Sequence, residues 1–320
     1  MNDFPLRNWV PYKIIKENGI VQCQWLNTFE SSFTEPFFEE TYLKCLGLNT
    51  NYTGIRSVSG LTMLSEWALG LNEVEPAAFI FHISRCGSTL ISQLLATSAA
   101  NIILSEVPFF DDILRLPYQG NGFNEAVAAP LLTSAIKFYG QKKTGRENNL
   151  FIKTDSWHLF FYRQLRQLYP SVPFIMVYRS PDEVFNSHRK LPGMQAVRGL
   201  IEPEVFGFDA EETTGWSPDV YLAKVLESYF RQCLAIADTD NKFLLLNYCE
   251  GPMPMIEKIA AFTNTPLSPE DTALMMERSL YHSKKPGERF SEKATTIIPS
   301  CLINAMDLYN ALEIKRKGMY

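Results

Sequence analysis

Two short polar stretches carry the residues best suited to hold anions. The first, Ser84-Arg85-Cys86-Gly87-Ser88-Thr89, interrupts an otherwise apolar run. Gly87 permits close approach of the backbone to a phosphate, Ser88 and Thr89 place hydroxyls in the first turn of a following helix, and Arg85 adds a permanent charge with several donors. A Walker P-loop, GxxxxGK[ST], would set a lysine against the outer phosphates and a hydroxyl on magnesium. This stretch has neither that spacing nor the lysine, and an ordinary strand-to-helix turn with a hydroxyl cap would use the same residues. The second stretch is YRSPDEVFNSHRK, where Arg179 ends a strand and Ser187 stands eight residues on, about two helical turns away. A guanidinium and a hydroxyl so placed can reach one further anion; an arginine paired with Asp182 beside a helical serine is the plainer account.

The elements around these stretches alternate. AAFIFHI, NIILSE, NLFIKTD, VPFIMVYRS and KFLLLNY read as short, nearly continuous apolar strands, as expected of a parallel sheet buried on both faces. Between and after them STLISQLLATSA, EAVAAPLLTSAIKFYGQ, SWHLFFYRQLRQLYP, PDEVFNSHRKL, DVYLAKVLESYFRQCLAIAD and MPMIEKIAAFTN read as helices, with Pro130 a kink or boundary. The alternation predicts an α/β, three-layer sandwich: a central parallel, doubly wound sheet of about five strands flanked by helices. Residues 1–75 are aromatic-rich and mixed in pattern, and are expected as an N-terminal extension packing on an α/β domain of residues 76–320. The Gly- and Pro-bearing segment 192–218 resembles a lid or binding loop, and the final EIKRKGMY reads as a solvated basic tail.

Hydrophobic residues make up 46% of the 320 and charged residues 20%, an ordinary balance for a chain with a sizeable core. A net charge of −5 argues against a general nucleic-acid binder while allowing a local basic pocket. Six cysteines without CxxC spacing suggest reduced thiols. The start shows no signal-peptide pattern, and no run reaches the roughly 18–20 apolar residues of a membrane span; the expectation is a cytoplasmic protein, with a homodimer left open.

Order and spacing of the two stretches together resemble the sulfotransferases that use 3′-phosphoadenosine 5′-phosphosulfate (PAPS), a P-loop NTPase-like fold. Their loop P-[KR]-[SA]-G-[ST]-[ST] is matched by residues 84–89, and their R-x-P-x-[DE]-x-x-x-S by Arg179, Pro181, Glu183 and Ser187. FIKTDSWHLFFYRQLRQLYPSVPFIMVYR and KFLLLNYCEGPMPMIEKIAAFTNTPLS are similar to later family segments, with Cys249 and Thr263-Asn264 as departures. The resemblance spans about residues 77–290.

That resemblance implies a donor, PAPS, with PAP as product and no metal requirement. Arg85 would stabilise the leaving 5′-phosphate, cradled by Cys86, Gly87, Ser88 and Thr89, while Arg179 and Ser187 would bind the 3′-phosphate. Glu106, at the end of the second strand, is the favoured base for an acceptor hydroxyl, with His158 the second choice; pairing of Glu106 with Arg115 or another local cation is the alternative. Lys153 would contact sulfonate or acceptor, or pair with Asp155. His82 reads as structural. Lys284 and Lys285, with Arg289, would close over the nucleotide, or form a solvated charge cluster. Cys86, beside Arg85 and a helix N-terminus, is expected to have a lowered thiol pKa. The acceptor is a small-molecule, lipid or carbohydrate hydroxyl, ahead of an amine, walled by aromatics of 109–123, 200–216 and the N-terminal region. A P-loop kinase of a small metabolite and a catalytically silent PAP-binding protein are the competing readings.

Overall fold

Residues 6–17, 19–48, 56–119, 123–281 and 298–318 are described in the computed structural model. The N-terminal region builds a small antiparallel sheet of β1 (Trp9–Glu17), β2 (Ile20–Asn27) and β3 (Ser57–Gly60), with α1 (Phe38–Leu46) and α2 (Leu61–Ala68). Its aromatic content enters the same core as the rest of the chain: Trp25 meets Phe138 edge-on with ring centroids 4.8 Å apart, and Phe38 meets Tyr139 at 5.2 Å. Polar ties reinforce this packing. Gln141 Nε2 donates to Trp9 O at 3.0 Å, and the Lys143 ammonium donates to Asn8 Oδ1, Thr28 Oγ1 and Phe29 O.

From Pro76 the chain alternates strand and helix, as the apolar runs predict. The strands are β4 (Pro76–His82), β5 (Asn101–Ser105), β6 (Asn149–Lys153), β7 (Phe174–Tyr178) and β8 (Phe243–Asn247). All neighbours pair in parallel, in the order β5-β6-β4-β7-β8. Every residue of β7 and β8 is buried, which explains runs such as FIMVY and FLLLN that lack a polar face. The first strand of this sheet lies at its centre. The chain crosses outward through α3 (Ser88–Leu95) and then returns through α4 (Pro108–Arg115) and α5 (Glu125–Tyr139). It passes beyond β4 by α6 (Tyr162–Leu168), then by α7 (Pro181–Lys190), α8 (Ala210–Thr213) and α9 (Pro218–Ala237). Right-handed crossovers therefore set α3 on one face and α5, α6 and α9 on the other. After β8, α10 (Pro252–Thr263) and α11 (Pro269–Ser279) pack against α3, and α12 (Ile303–Gly318) packs against α7 and α9.

Three local expectations change. The α5 helix runs through Pro130 without a boundary, because the carbonyl left without a partner belongs to Ala126, exposed in the first turn and open to water. SWHLFF forms a 3-10 turn ahead of α6, so its side chains do not follow an α-helical stripe. The C-terminal tail is only partly solvated: Arg316 is buried, 3.0 Å from Glu250 and 2.8 Å from Glu313. Among the described residues no helix is long and apolar enough to cross a membrane.

Candidate active site

In a parallel sheet the carboxyl ends of the strands and the N-termini of the following helices face one crevice, and ligands gather where the helices leave to opposite faces. Here that crevice is a cavity of about 800 Å³. Its floor is the turn after β4. Ser84, Arg85 and Gly87 all take left-handed backbone angles (φ 66°, 53° and 83°), which folds the turn tightly under the N-terminus of α3. Gly87 is required twice over: a Cβ there would lie 2.5 Å from Tyr248 Cδ2, in addition to the cost of its positive φ. His82 shapes the same turn. Its Nδ1 accepts the Ser84 N–H at 3.0 Å and its Nε2 donates to Thr154 O at 2.9 Å, which specifies the neutral tautomer. Burial pushes its pKa down to the same end. His82 also lines the cavity, a larger part than a strand residue alone would play.

Arg85, Gly87, Ser88 and Thr89 line the cavity, and Arg85 reaches across its mouth to donate from Nη2 to Leu191 O at 2.7 Å. Cys86 points the other way. Its thiol is fully buried beneath the turn and donates to Val177 O at 3.1 Å. Burial pushes the Cys86 pKa up to about 11, which corrects the expected lowering: desolvation outweighs the neighbouring charge and helix terminus.

Arg179, at the end of β7, and Ser187, two turns into α7, line the same cavity. The partner of Arg179 is Glu183 and not Asp182: Nε and Nη2 grip the Glu183 carboxylate at 2.9 and 2.7 Å. Asp182 is bonded to the Ser180 hydroxyl instead. The Arg179 guanidinium stands 4.6 Å over the ring of Tyr248, the same ring that closes on Gly87. Tyr248 thus ties the two basic stretches into one wall.

A buried ion pair forms another part of the lining. Glu106 sits just past β5 with a left-handed φ of 55°, its N–H donating to Lys153 O at 2.8 Å. Its carboxylate accepts from the Lys153 ammonium and lies 3.3 Å from His82 Nε2. Burial alone would raise the Glu106 pKa; the Lys153 charge and the His82 contact overcome it and hold the group well below the usual carboxylate range. The cation that pairs with Glu106 is Lys153 and not Arg115, so the ion pair of the plainer account is present with another partner. Lys153 itself has no exposed side-chain surface, so it touches the cavity only through Glu106.

His158 stands one layer back. It is buried, with Nε2 3.1 Å from Asp111 Oδ1 and 3.7 Å from Asp155 Oδ2. Asp155 and Trp157 line the cavity in its place. Burial, then the charges of Glu106 and Asp111, push the Asp155 pKa well above its ordinary value. The Asp111, Asp155 and His158 ligand atoms lie within 4.8 Å of one another, close enough to hold a cation, although Arg115 already bonds Asp111 at 2.9 Å.

Phe37, from the aromatic N-terminal region, and Met194, from the segment read as a binding loop, line the cavity, and so do Tyr248 and Tyr309, which were not singled out as site residues. A cue to Tyr248 was present nearby: Asn247 and Glu250 form a capping box around the turn that presents it. Tyr309 arrives on α12 and accepts a hydrogen bond from Asn247 Nδ2 at 3.0 Å, a contact no local pattern encodes. Aromatics of 109–123 and 200–216 do not wall the cavity; Phe109, Phe110 and Phe206 are buried in the core, and Phe37, Trp157 and Met194 take that place. Lys284, Lys285 and Arg289 lie outside the described residues.

No family model matches the chain, and no curated protein matches it. Among solved structures it is similar to a sulfotransferase from Alicyclobacillus acidocaldarius, at 15% identity over 77% of this chain and 93% of that one, with a TM-score of 0.41. A sulfotransferase from Mycobacterium avium matches at 15% identity over 78% and 77%, with a TM-score of 0.45. The sulfotransferase domain of the curacin biosynthetic pathway matches at 13% identity over 76% and 99%, with a TM-score of 0.48.

Proposed function

We propose that this cavity transfers a sulfonate group from PAPS to the hydroxyl of an acceptor. The observation that carries the reading is that Arg85 and Arg179, from the ends of adjacent strands, line one cavity that also receives the N-terminus of α3. One guanidinium beside a helix N-terminus and a second across the Tyr248 ring suit a nucleotide with phosphates at two positions. The glycine at 87, where any side chain would strike Tyr248, lets that ring pack against the turn and so fixes it between the two basic stretches.

PAPS supplies a sulfonate activated by its bond to a 5′-phosphate. Arg85, by giving up the Leu191 carbonyl, meets the charge that develops on the leaving phosphate oxygen as the S–O bond to it breaks. Ser88, Thr89 and the turn's backbone hold that phosphate. Arg179 and Ser187 hold the 3′-phosphate, with Glu183 fixing the plane of the guanidinium. Glu106 takes the proton of the acceptor hydroxyl as the new O–S bond forms, and Lys153 keeps that carboxylate ionised beforehand.

Thermal unfolding with PAP and with ADP tests the donor assignment. PAP at a hundredfold excess over its dissociation constant should raise Tm by roughly 5 °C, with ADP well behind. Equal shifts would remove the role of Arg179 and Ser187 in reading a 3′-phosphate. An ADP shift that grows with magnesium would favour the kinase reading, for which Asp111, Asp155 and His158 offer the ligand atoms.

A further inference from the structure

His82 ends β4, the central strand of the parallel sheet, where it is paired in register with Val177 of β7. It is buried, with 4% of its surface exposed, yet it forms part of the cavity lining. A buried histidine in a strand is ordinarily a packed core residue with its hydrogen bonds satisfied, and two observations set this one apart. The first is where its two ring nitrogens point. Nδ1 accepts the N–H of Ser84, which opens the turn that carries Arg85 and Gly87. Nε2, on the far side of the ring, lies 2.9 Å from Thr154 O and 3.3 Å from Glu106 Oε1. One proton on Nε2 is therefore shared between a carbonyl and the carboxylate read as the base.

The second is which atom of Glu106 it meets. The Lys153 ammonium bonds Oε1 as well. Among the described residues both contacts fall on that oxygen, which leaves Oε2 to take a proton from the cavity. The backbone on either side of the imidazole is also strained: Ser84, Arg85 and Glu106 hold φ values of 66°, 53° and 55° without being glycine. Such angles persist where surrounding contacts over-determine them, and His82 touches Ser84 and Glu106 directly. From this we propose that His82 is a positioning residue for both halves of the reaction. Its Nδ1 holds the anion-binding turn in shape, and its Nε2, together with Lys153, fixes Glu106 Oε1 so that Oε2 faces the acceptor hydroxyl. The proposal rests on the sulfonate-transfer reading and adds to it a direct link between the nucleotide's turn and the base.

Two substitutions separate the halves. Asparagine can set its Oδ1 near the place of the ring Nδ1 but reaches no farther. Glutamine can set its Nε2 near the place of the ring Nε2 while offering Ser84 no acceptor. Against His82→Ala, which loses both contacts, His82→Asn should restore PAP affinity by about tenfold in calorimetric titration and leave the single-turnover rate at saturating PAPS low. His82→Gln should do the reverse, restoring the rate by about tenfold with PAP affinity still weak. A histidine that only fills space would lose both properties in all three variants, in step with Tm, and that result would overturn the proposal. Should the variants fail to fold, nitrogen-15 spectra of the histidine-labelled chain serve in their place. At neutral pH the native chain should show His82 with Nε2 protonated and Nδ1 bare, and the Nε2 resonance should shift in Glu106→Gln. The reverse tautomer, an imidazolium, or a resonance untouched by Glu106→Gln would overturn the proposal. Absence of PAP binding and transfer in the native chain would count against the sulfonate donor alone, since these spectra are read without any nucleotide.

Discussion

At the scale of single residues, the site turns on how Glu106 and Lys153 settle their charge. Glu106 and Lys153 compensate one another, so the carboxylate remains an anion despite burial. A depressed folded pKa means that Glu106 stabilises the fold above the ordinary glutamate value of about 4.3, and that this contribution is lost as pH falls through the folded pKa. For catalysis, the sign is the same: turnover should stay level from neutrality into the acid range for as long as the fold holds. Lys153→Met leaves only the His82 contact to oppose burial, so an acid limb should move up toward the ordinary glutamate value of about 4.3 in the pH–rate profile. A variant whose profile matches the native one would show that Lys153 does not set the charge of Glu106. The residue types at these positions were legible in the sequence; their orientation was not. Cys86 lies within the same six-residue motif as Arg85 and Ser88, but successive left-handed angles turn its thiol under the loop. In the same way Asp155, not His158, reaches the cavity, because the stretch after β6 winds as a 3-10 turn.

At the scale of elements, the strands were readable because burial on both faces leaves uninterrupted apolar runs, and the helix starts because Ser, Asn and Pro mark them. What could not be read is how distant elements complete the cavity. The α12 helix is the clearest case: Arg316 joins Glu250 and Glu313, Tyr178 donates to Glu313, and Tyr309 receives Asn247. This network supports the turn that carries Tyr248 beneath the proposed nucleotide. Tyr309→Phe removes one internal hydrogen bond and should lower the unfolding free energy by about 1 kcal/mol, with weaker PAP binding as Asn247 and the turn bearing Tyr248 lose that support. Arg316→Met leaves Glu313 without its cation while Glu250 keeps Lys258, and should destabilise the fold by about 3 kcal/mol, read by denaturant unfolding. If Arg316→Met unfolds like the native chain, the C-terminal helix is not a support of the site.

At the scale of the molecule, the proposed reaction divides the work of one cavity: Arg85, Arg179 and the α3 terminus would hold the anions, and Glu106, paired with Lys153, would accept the proton. The N-terminal region contributes Phe37 to the cavity and also stands 5.2 Å from the Lys153 ammonium, so it is part of the site's enclosure as well as of the core. The central claim is that these two sets of groups act on a sulfonate between them. A single-turnover reaction with PAPS and a panel of hydroxyl compounds, followed by mass spectrometry of the sulfated product, tests it most directly. The native chain should form sulfated product and PAP in equal amounts, and Glu106→Gln should slow this step by about a hundredfold or more. Formation of the product at the native rate by Glu106→Gln, or consumption of ATP in place of PAPS, would contradict the account.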